Sequence, residues 1–439
     1  MSSTAVTRTR LGARTWTAFV VLGLVGQLAW TVENMYLNVF VYDTITDSPA
    51  AIATMVAASA IVATLTTIAV GAWSDRTGRR RGVVALGYVL WGLTTAGFGF
   101  VSPELAETIA PGWNAVGAAI AFIVVLDCVM SFFGSAANDA SFQAWVTDTT
   151  DTSNRGRVDG MLSSMPLIAM LIVFGALDGL TKSGEWRLFF GVVGAVTAVV
   201  GVVAWFIVRD RPAAARETSY LSDVVYGLRP STVRSAPRLY RLLLVLAIVG
   251  VSTQVFLPYL IIYIQRTLQI DSYALVLGVV LTVSSVASIL GGRLIDRIGK
   301  VRSLLPTMAL LGAGYLAMFL VRDQLGVILA GIVMMSGFML AFAAITATLR
   351  DFTPDDRAGT VQGLRMIAAI LIPMVAGPWI GAWVIEGAQE TYTDLGVVKQ
   401  VPTAWIFVAS FVVLVVAVPF VVRLLRSTTR AERESLETV

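Results

Sequence analysis

Apolar runs of about twenty residues recur along this chain, separated by short polar loops. A run of that length crosses a hydrocarbon layer as a helix, because coiling satisfies every backbone group internally. Six such runs are predicted at 15–42, 48–73, 82–101, 116–146, 158–181 and 187–208. Six more come at 239–265, 273–294, 303–321, 325–349, 361–386 and 403–425. The fourth is longer than a span needs, so a kink or an exit from the bilayer before Asp148 is expected. The first is too long for the core of a signal peptide and is read as an uncleaved helix. Residues 1–208 then form an N-terminal six-helix bundle, 209–238 a linker, and 239–439 a C-terminal bundle with a short tail. The linker holds Arg209, Arg211, Arg216, Arg229, Arg234 and Arg238 with Pro212, Pro230 and Pro237, and a surface helix is expected around Tyr220–Leu228.

Composition agrees with a lipid-facing exterior. The chain is 56% hydrophobic and 14% charged, whereas a water-soluble domain carries roughly 25% charged residues. Basic residues then orient the spans. With the N-terminus inside, inner segments hold 26 of the 32 Lys and Arg residues, as the positive-inside rule requires. Arg365 lies within a span, and Lys182, Arg187, Arg266, Arg322 and Lys399 lie at outer ends. Both termini are therefore expected in the cytoplasm of a multi-pass plasma-membrane protein. The formal charge of +4 is explained by this anchoring, and no nucleic-acid partner is expected. Cys128 is the single cysteine and there is no histidine. That excludes an intrachain disulfide and the common zinc and imidazole proton-shuttle arrangements. No cofactor is expected, and any coupling ion, H+ or Na+, must be handled by carboxylates.

Two loop signatures occur twice. Gly71, Asp75, Arg76, Gly78 and Arg79 come after span two, and Gly292, Asp296, Arg297, Gly299 and Lys300 after span eight. Both read G-x3-D-R-x-G-[RK]. The first glycine suits a close helix approach and the second a tight turn, while the aspartate suits a neighbouring helix N-terminus. After spans four and ten, Asp148, Thr150, Gly156, Val158 and Gly160 fall in register with Asp351, Thr353, Gly359, Val361 and Gly363. Duplicated halves around a linker mark a parallel-repeat transporter. The fold class expected is an all-α membrane protein of twelve transmembrane helices in two pseudo-symmetric six-helix bundles.

The repeated loop after spans two and eight resembles the hallmark of the major facilitator superfamily, over essentially the whole chain. The resemblance implies alternating access, with two bundles rocking about a midplane cavity. It also implies a cytoplasmic gate containing Gly71, Asp75, Arg76, Gly78, Arg79, Asp296, Arg297 and Gly299.

Ionisable groups inside spans usually face a cavity or a partner. Those present are Glu33 in span one, Asp127 and Asp139 in span four, and Arg365 in span eleven. At roughly 100° per residue, Gln27, Asn34 and Asn38 share one face of span one. Glu33 is offset from them, beside Trp30, toward the cavity edge or a neighbouring helix. Ser131, Ser135, Asp139, Phe142 and Gln143 recur at helical spacing in span four, and Asp127 is placed nearer the outer vestibule. Asp139 with Phe142, then Thr150 and Arg155, resembles the glycoside–pentoside–hexuronide:cation symporters. That resemblance implies that Asp139 accepts hydrogen bonds from solute hydroxyls. Those symporters use span-two acids for their cation, and this span two offers only Thr54, Ser59, Thr64, Thr66 and Thr67. Arg365 has two readings: a pair with Asp139 or Glu33 or an anionic ligand, or a cation reaching back to water. Gln254, Tyr259 and Tyr263 in span seven suit hydroxylated solutes.

The expected function is proton- or cation-coupled symport of a sugar or similar small polar solute, by a monomer. The other transporter reading is a proton-antiport exporter of drugs or metabolites. Its glycine- and proline-rich motif belongs late in span five, which has Gly175 and Gly179 but Pro166 early; Gly377-Pro378 lies in span eleven instead. An enzyme is not expected, since no nucleotide loop or nucleophile–base set is present.

Overall fold

Long apolar stretches leave no polar backbone group unmet once they coil, and the computed structural model of this chain is helical along most of its length. It describes residues 11–151, 154–210, 230–353, 358–394 and 397–437. Among the described residues, eleven helices have the length and composition to cross a membrane, from Ala13–Thr44 to Trp405–Ser427. The ninth expected span is the shorter apolar helix Leu304–Leu320, of 17 residues. The surface helix expected around Tyr220–Leu228 lies outside the described residues.

Several spans widen for one turn into π-helical geometry. These turns are Val32–Leu37 in span one, Ser135–Phe142 in span four, Val173–Leu177 in span five, Tyr263–Thr267 in span seven and Ile367–Leu371 in span eleven. In span eleven the cause is Pro373, whose ring cannot accept the carbonyl four residues before it and whose nitrogen donates nothing. Span four has no proline there; its overlong helix, Ala115–Thr149, is interrupted by the wide turn itself. Pro258 breaks span seven: the first α-segment ends at Gln254, four residues earlier, and a short 3-10 turn, Leu257–Tyr259, comes next.

The described chain packs as two compact units, Met1–Glu33 with Leu65–Ser219, and Asn34–Thr64 with Tyr220–Val439. The division inside span one therefore falls in its wide turn. In the first unit, spans three and six meet backbone to backbone through small residues. A Cβ on Gly194 would lie 2.7 Å from the Ala96 nitrogen, and one on Gly201 would lie 2.5 Å from the Val89 nitrogen. Gly194→Leu is expected to force these helices apart and destabilise the unit by about 1–3 kcal/mol, read as a lower Tm of the purified protein. Gly191→Leu, on the same helix with nothing within 4 Å of its Cβ position, should leave Tm unchanged.

Two elements were not foreseen in the loops. Pro103–Ile109 forms a short helix after span three, its first turn capped by Ser102 Oγ, which accepts from the Leu105 nitrogen at 3.2 Å. A serine before proline at the first helical position is a strong start signal. An antiparallel strand pair, Thr391–Asp394 with Val397–Gln400, joins spans eleven and twelve. In the second unit this hairpin gathers the end of span one. Tyr42 donates to the Gln400 carbonyl at 2.9 Å, the Gln400 nitrogen donates to Asp47 Oδ2 at 2.6 Å, and Lys399 donates to the Asp43 carbonyl at 3.3 Å. Arg266 of span seven pairs with Asp43 at 2.7 Å, both partners largely buried. Removing one member of such a pair strands the other charge. Arg266→Ala is thus expected to lower Tm more than the Asp43→Ala/Arg266→Ala double variant does, and a double-mutant cycle measures the coupling.

Candidate functional site

The acidic residues of spans one and four meet within the first unit. Span one presents Gln27, Trp30 and Asn34, all half-buried, along one face. Asn38 is fully buried and its amide donates to the Asn34 carbonyl at 3.0 Å. The wide turn Val32–Leu37 adds a residue to the helical repeat and rotates the remainder of the span, which a uniform 3.6-residue period cannot anticipate.

Span four's own wide turn carries Ser135, Asn138 and Asp139. Asp139 is half-buried, whereas Ser135 and Asn138 are buried. Its Oδ1 accepts from Asn138 Nδ2 at 3.0 Å and its Oδ2 from Ser135 Oγ at 3.3 Å. Trp30 of span one supplies a third hydrogen bond. Asn138 is oriented in turn by Tyr88, whose hydroxyl lies 2.9 Å from both Asn138 Oδ1 and the Leu22 carbonyl. The assembly leaves no slack: a Cβ on Gly26 would sit 2.5 Å from Asn138 Oδ1 and 2.7 Å from the Tyr88 hydroxyl. Trp91 walls the network, its ring centroid 5.0 Å from that of Trp30 and 5.5 Å from that of Tyr88. A carboxylate has about four lone-pair sites. Three donors from the protein leave capacity for a hydroxyl or ammonium group from a ligand.

One turn away a second acidic site is shut off from solvent. Glu33 and Asp127 are both buried. Glu33 Oε1 accepts from Ser131 Oγ at 2.8 Å, while Oε2 meets no donor among the described residues. Asp127 is the acidic neighbour against the Glu33 carboxyl, and Asp139 lies near enough to add to the same field. Asp127, expected to border an outer vestibule, is buried beside Glu33. Two unit negative charges about 4 Å apart repel by about 4 kcal/mol at an effective dielectric constant of about 20. A proton or cation between them removes that repulsion.

The second unit places the remaining candidates apart from these acids in role. Tyr259 is buried with its hydroxyl between the Pro378 and Pro49 carbonyls at 2.9 and 3.1 Å. It ties spans together around the Pro258 break. Gln254 is half-buried at the end of the first α-segment of span seven, against Gly377. Tyr263 is fully buried. Arg365 is half-buried, one turn into span eleven, and Arg350 at the end of span ten is its charged neighbour. Phe142, the aromatic after Asp139, is fully buried and packs against Trp145 at 6.3 Å, so it does not share the half-open face of Asp139.

At the arginine-rich ends, the glycines of the repeated loops adopt positive φ, 65° at Gly78 and 98° at Gly299, the conformation for which glycine is suited. Gly71 and Gly292 have nothing within 4 Å of a Cβ position. The close helix approach expected of them is absent among the described residues. The Asp75 side chain lies outside the described ones, and Asp296 is exposed. Each unit does join its two signatures by an ion pair. Arg80 reaches Asp148 at 3.2 Å and also the Ser74 hydroxyl in the first, and Lys300 reaches Asp351 at 2.7 Å in the second. Asp148 and Asp351 are in register between the repeats, whereas their cationic partners are offset by one position, since Lys300 matches Arg79 and not Arg80.

Sequence reasoning passed over Asn138 and Tyr88. An amide next to an intramembrane acid was the available signal for Asn138; nothing in the sequence distinguishes Tyr88 from other tyrosines in apolar runs. Among the described residues no group of three or more His, Cys, Asp or Glu side chains is arranged to hold a metal ion.

Comparison with known proteins adds the family context. A family model described as the Major Facilitator Superfamily matches residues 19–378 and 242–438. No curated protein sequence matches the chain. Among solved structures, a bacterial homologue of the human lysosomal transporter Spinster is similar in both its occupied and unoccupied inward-facing conformations. The occupied form has a TM-score of 0.71 at 17% identity, covering 95% of this chain and 98% of that one. The unoccupied form has a TM-score of 0.69 at 17% identity, covering 96% and 99%. The nucleoside transporter NupG has a TM-score of 0.65 at 12% identity, covering 93% and 98%. At these identities the likeness to solved structures speaks for the fold.

Proposed function

Because the chain belongs to the Major Facilitator Superfamily, whose members are transporters and not enzymes, we propose that it moves a small hydroxylated solute, a sugar or a similar polar molecule, by proton- or cation-coupled symport. The observation that carries this reading is the division of labour among the three acids of spans one and four, Asp139, Glu33 and Asp127. Asp139 is half-open and held by Ser135, Asn138 and Trp30, with lone-pair capacity left for a solute hydroxyl. Glu33 and Asp127 form a closed carboxyl pair with Ser131, suited to a proton or a small cation. Gln27 and Asn34 on the same face as Trp30 add amide donors and acceptors for further hydroxyls. The likeness to glycoside–pentoside–hexuronide:cation symporters through Asp139 supports the sugar class, although Phe142 is buried and Trp30 is the aromatic surface beside the acid. In this reading both termini are cytoplasmic in the plasma membrane, and the arginine-rich loops form the inner gate.

A thermal-shift screen of the purified protein against sugars, amino acids and drugs, with and without Na+, identifies the solute. Proteoliposomes loaded with a pH indicator then test coupling. Addition of the solute should acidify the lumen as protons enter with it. Solute uptake without ion movement, under any imposed H+ or Na+ gradient, would overturn the symport reading.

A further inference from the structure

The first unit has a cleft of about 730 Å³ opening on its outer surface, among spans two, three, four and six. Its walls are carbon-rich: Trp73, Leu86, Leu90, Phe133, Trp205 and Phe206 are representative. Trp73, Leu86, Trp205 and Phe206 are exposed, as residues facing lipid must be. Arg79 is the one charged residue of the lining. It belongs to the exposed arginine-rich loop after span two, with Arg76 also exposed. The Arg81 guanidinium lies 4.3 Å above the Trp205 ring, at the same end of the cleft, a cation–π geometry that holds its charge at the rim. Arg80 is spent on Asp148 and Ser74, and Asp210 Oδ1 accepts from the Arg81 backbone nitrogen at 2.7 Å; Arg79 is exposed, whereas Arg81 is half-buried and its buried Nε meets no acceptor among the described residues.

We propose that this cleft holds one acyl chain of an anionic phospholipid whose phosphate headgroup is bound by Arg79 and Arg81. The cleft is of ligand size and has no polar group along its length to satisfy a sugar-like solute. Cations sit at one end only. That polarity, a long apolar slot closed by two guanidinium groups, complements a lipid laid along the helices with its headgroup at the arginine-rich surface. A guanidinium also matches a phosphate geometrically through paired N–H donors. The site is separate from the Asp139 and Glu33 clusters, so it is independent of the solute proposed above.

Gly82 supplies the test, because it lines the cleft and has nothing within 4 Å of a Cβ position. Gly82→Phe should therefore fill the cleft without disturbing the core, and Leu86→Trp does the same from the next turn should the first variant fail to fold. The full-length protein is exchanged into micelles containing equal amounts of phosphatidylglycerol and phosphatidylcholine, and retained lipid is counted by native mass spectrometry. The wild type should retain one phosphatidylglycerol, and Gly82→Phe none. Arg79→Gln and Arg81→Gln should each lower the preference for phosphatidylglycerol about fivefold, the equivalent of about 1 kcal/mol per arginine near an anionic headgroup. Equal retention in wild type and Gly82→Phe would overturn the site. Equal retention of the two lipids by the wild type would overturn the headgroup assignment.

Discussion

Asp139→Asn is expected to weaken solute binding by about 10- to 150-fold. That range is the 1.5–3 kcal/mol, roughly, of a hydrogen bond to a charged group. The wide turn Ser135–Phe142 lifts Asp139 out of the packed face of span four, and it is half-open where Ser135 and Asn138 are buried. Three donors converge on the carboxylate. They fix its orientation before any solute arrives, so little ordering entropy remains to be lost on binding. Asparagine keeps the shape but turns one acceptor into a donor, which then faces either Asn138 Nδ2 or the Ser135 hydroxyl. The network is thereby disturbed as well as discharged. Ser135→Ala keeps the charge and removes one of the three donors that orient Asp139 without removing a contact to the solute, so its effect should be only about 2- to 12-fold, roughly 0.5–1.5 kcal/mol. Thermal-shift titration with the solute identified by screening measures both. Unchanged affinity in Asp139→Asn would take Asp139 out of the solute site.

The spans, the duplicated loops and the identity of the intramembrane acids were legible in the sequence because each is a local or repeated pattern. Gly78 and Gly299 are an example: two glycines at one position of two repeats predict one backbone conformation, and both adopt positive φ. The features that eluded the sequence depend on departures from regular geometry or on contacts distant along the chain. The π-turn Val32–Leu37 interrupts the regular period of span one just before Asn38. Asp127 closed on Glu33 because spans one and four pack there, which no periodicity within either span reveals. Tyr259 looked like a ligand for hydroxyls, yet its hydroxyl is engaged by the carbonyls of Pro49, 210 positions away, and Pro378, 119 positions away. The hairpin Thr391–Asp394/Val397–Gln400 carries the strand formers Thr391, Tyr392, Thr393, Val397 and Val398, a signal too short to stand out between two long apolar runs.

Glu33→Gln is expected to separate ion coupling from solute movement. Glutamine preserves the volume of the side chain, and its amide oxygen can still accept from Ser131. It cannot take up or release a proton. In the wild type, Glu33 and Asp127 face each other away from solvent, and two negative charges there repel unless a proton or cation sits with them. Solute entry at the neighbouring Asp139 adds or shields charge in the same field, which is a physical route for linking the two sites. With Glu33 neutral in every state, that linkage is removed. Accumulation of solute driven by an imposed pH gradient should be lost, whereas exchange of labelled for unlabelled solute at equal pH should continue at a rate near that of the wild type. Asp127→Asn should reproduce the pattern, because it neutralises the other half of the pair. Ser131→Ala should retain coupling, since it removes a hydrogen bond but leaves both carboxyls. Gradient-driven accumulation that survives in Glu33→Gln and in Asp127→Asn would dismiss this pair as the coupling site.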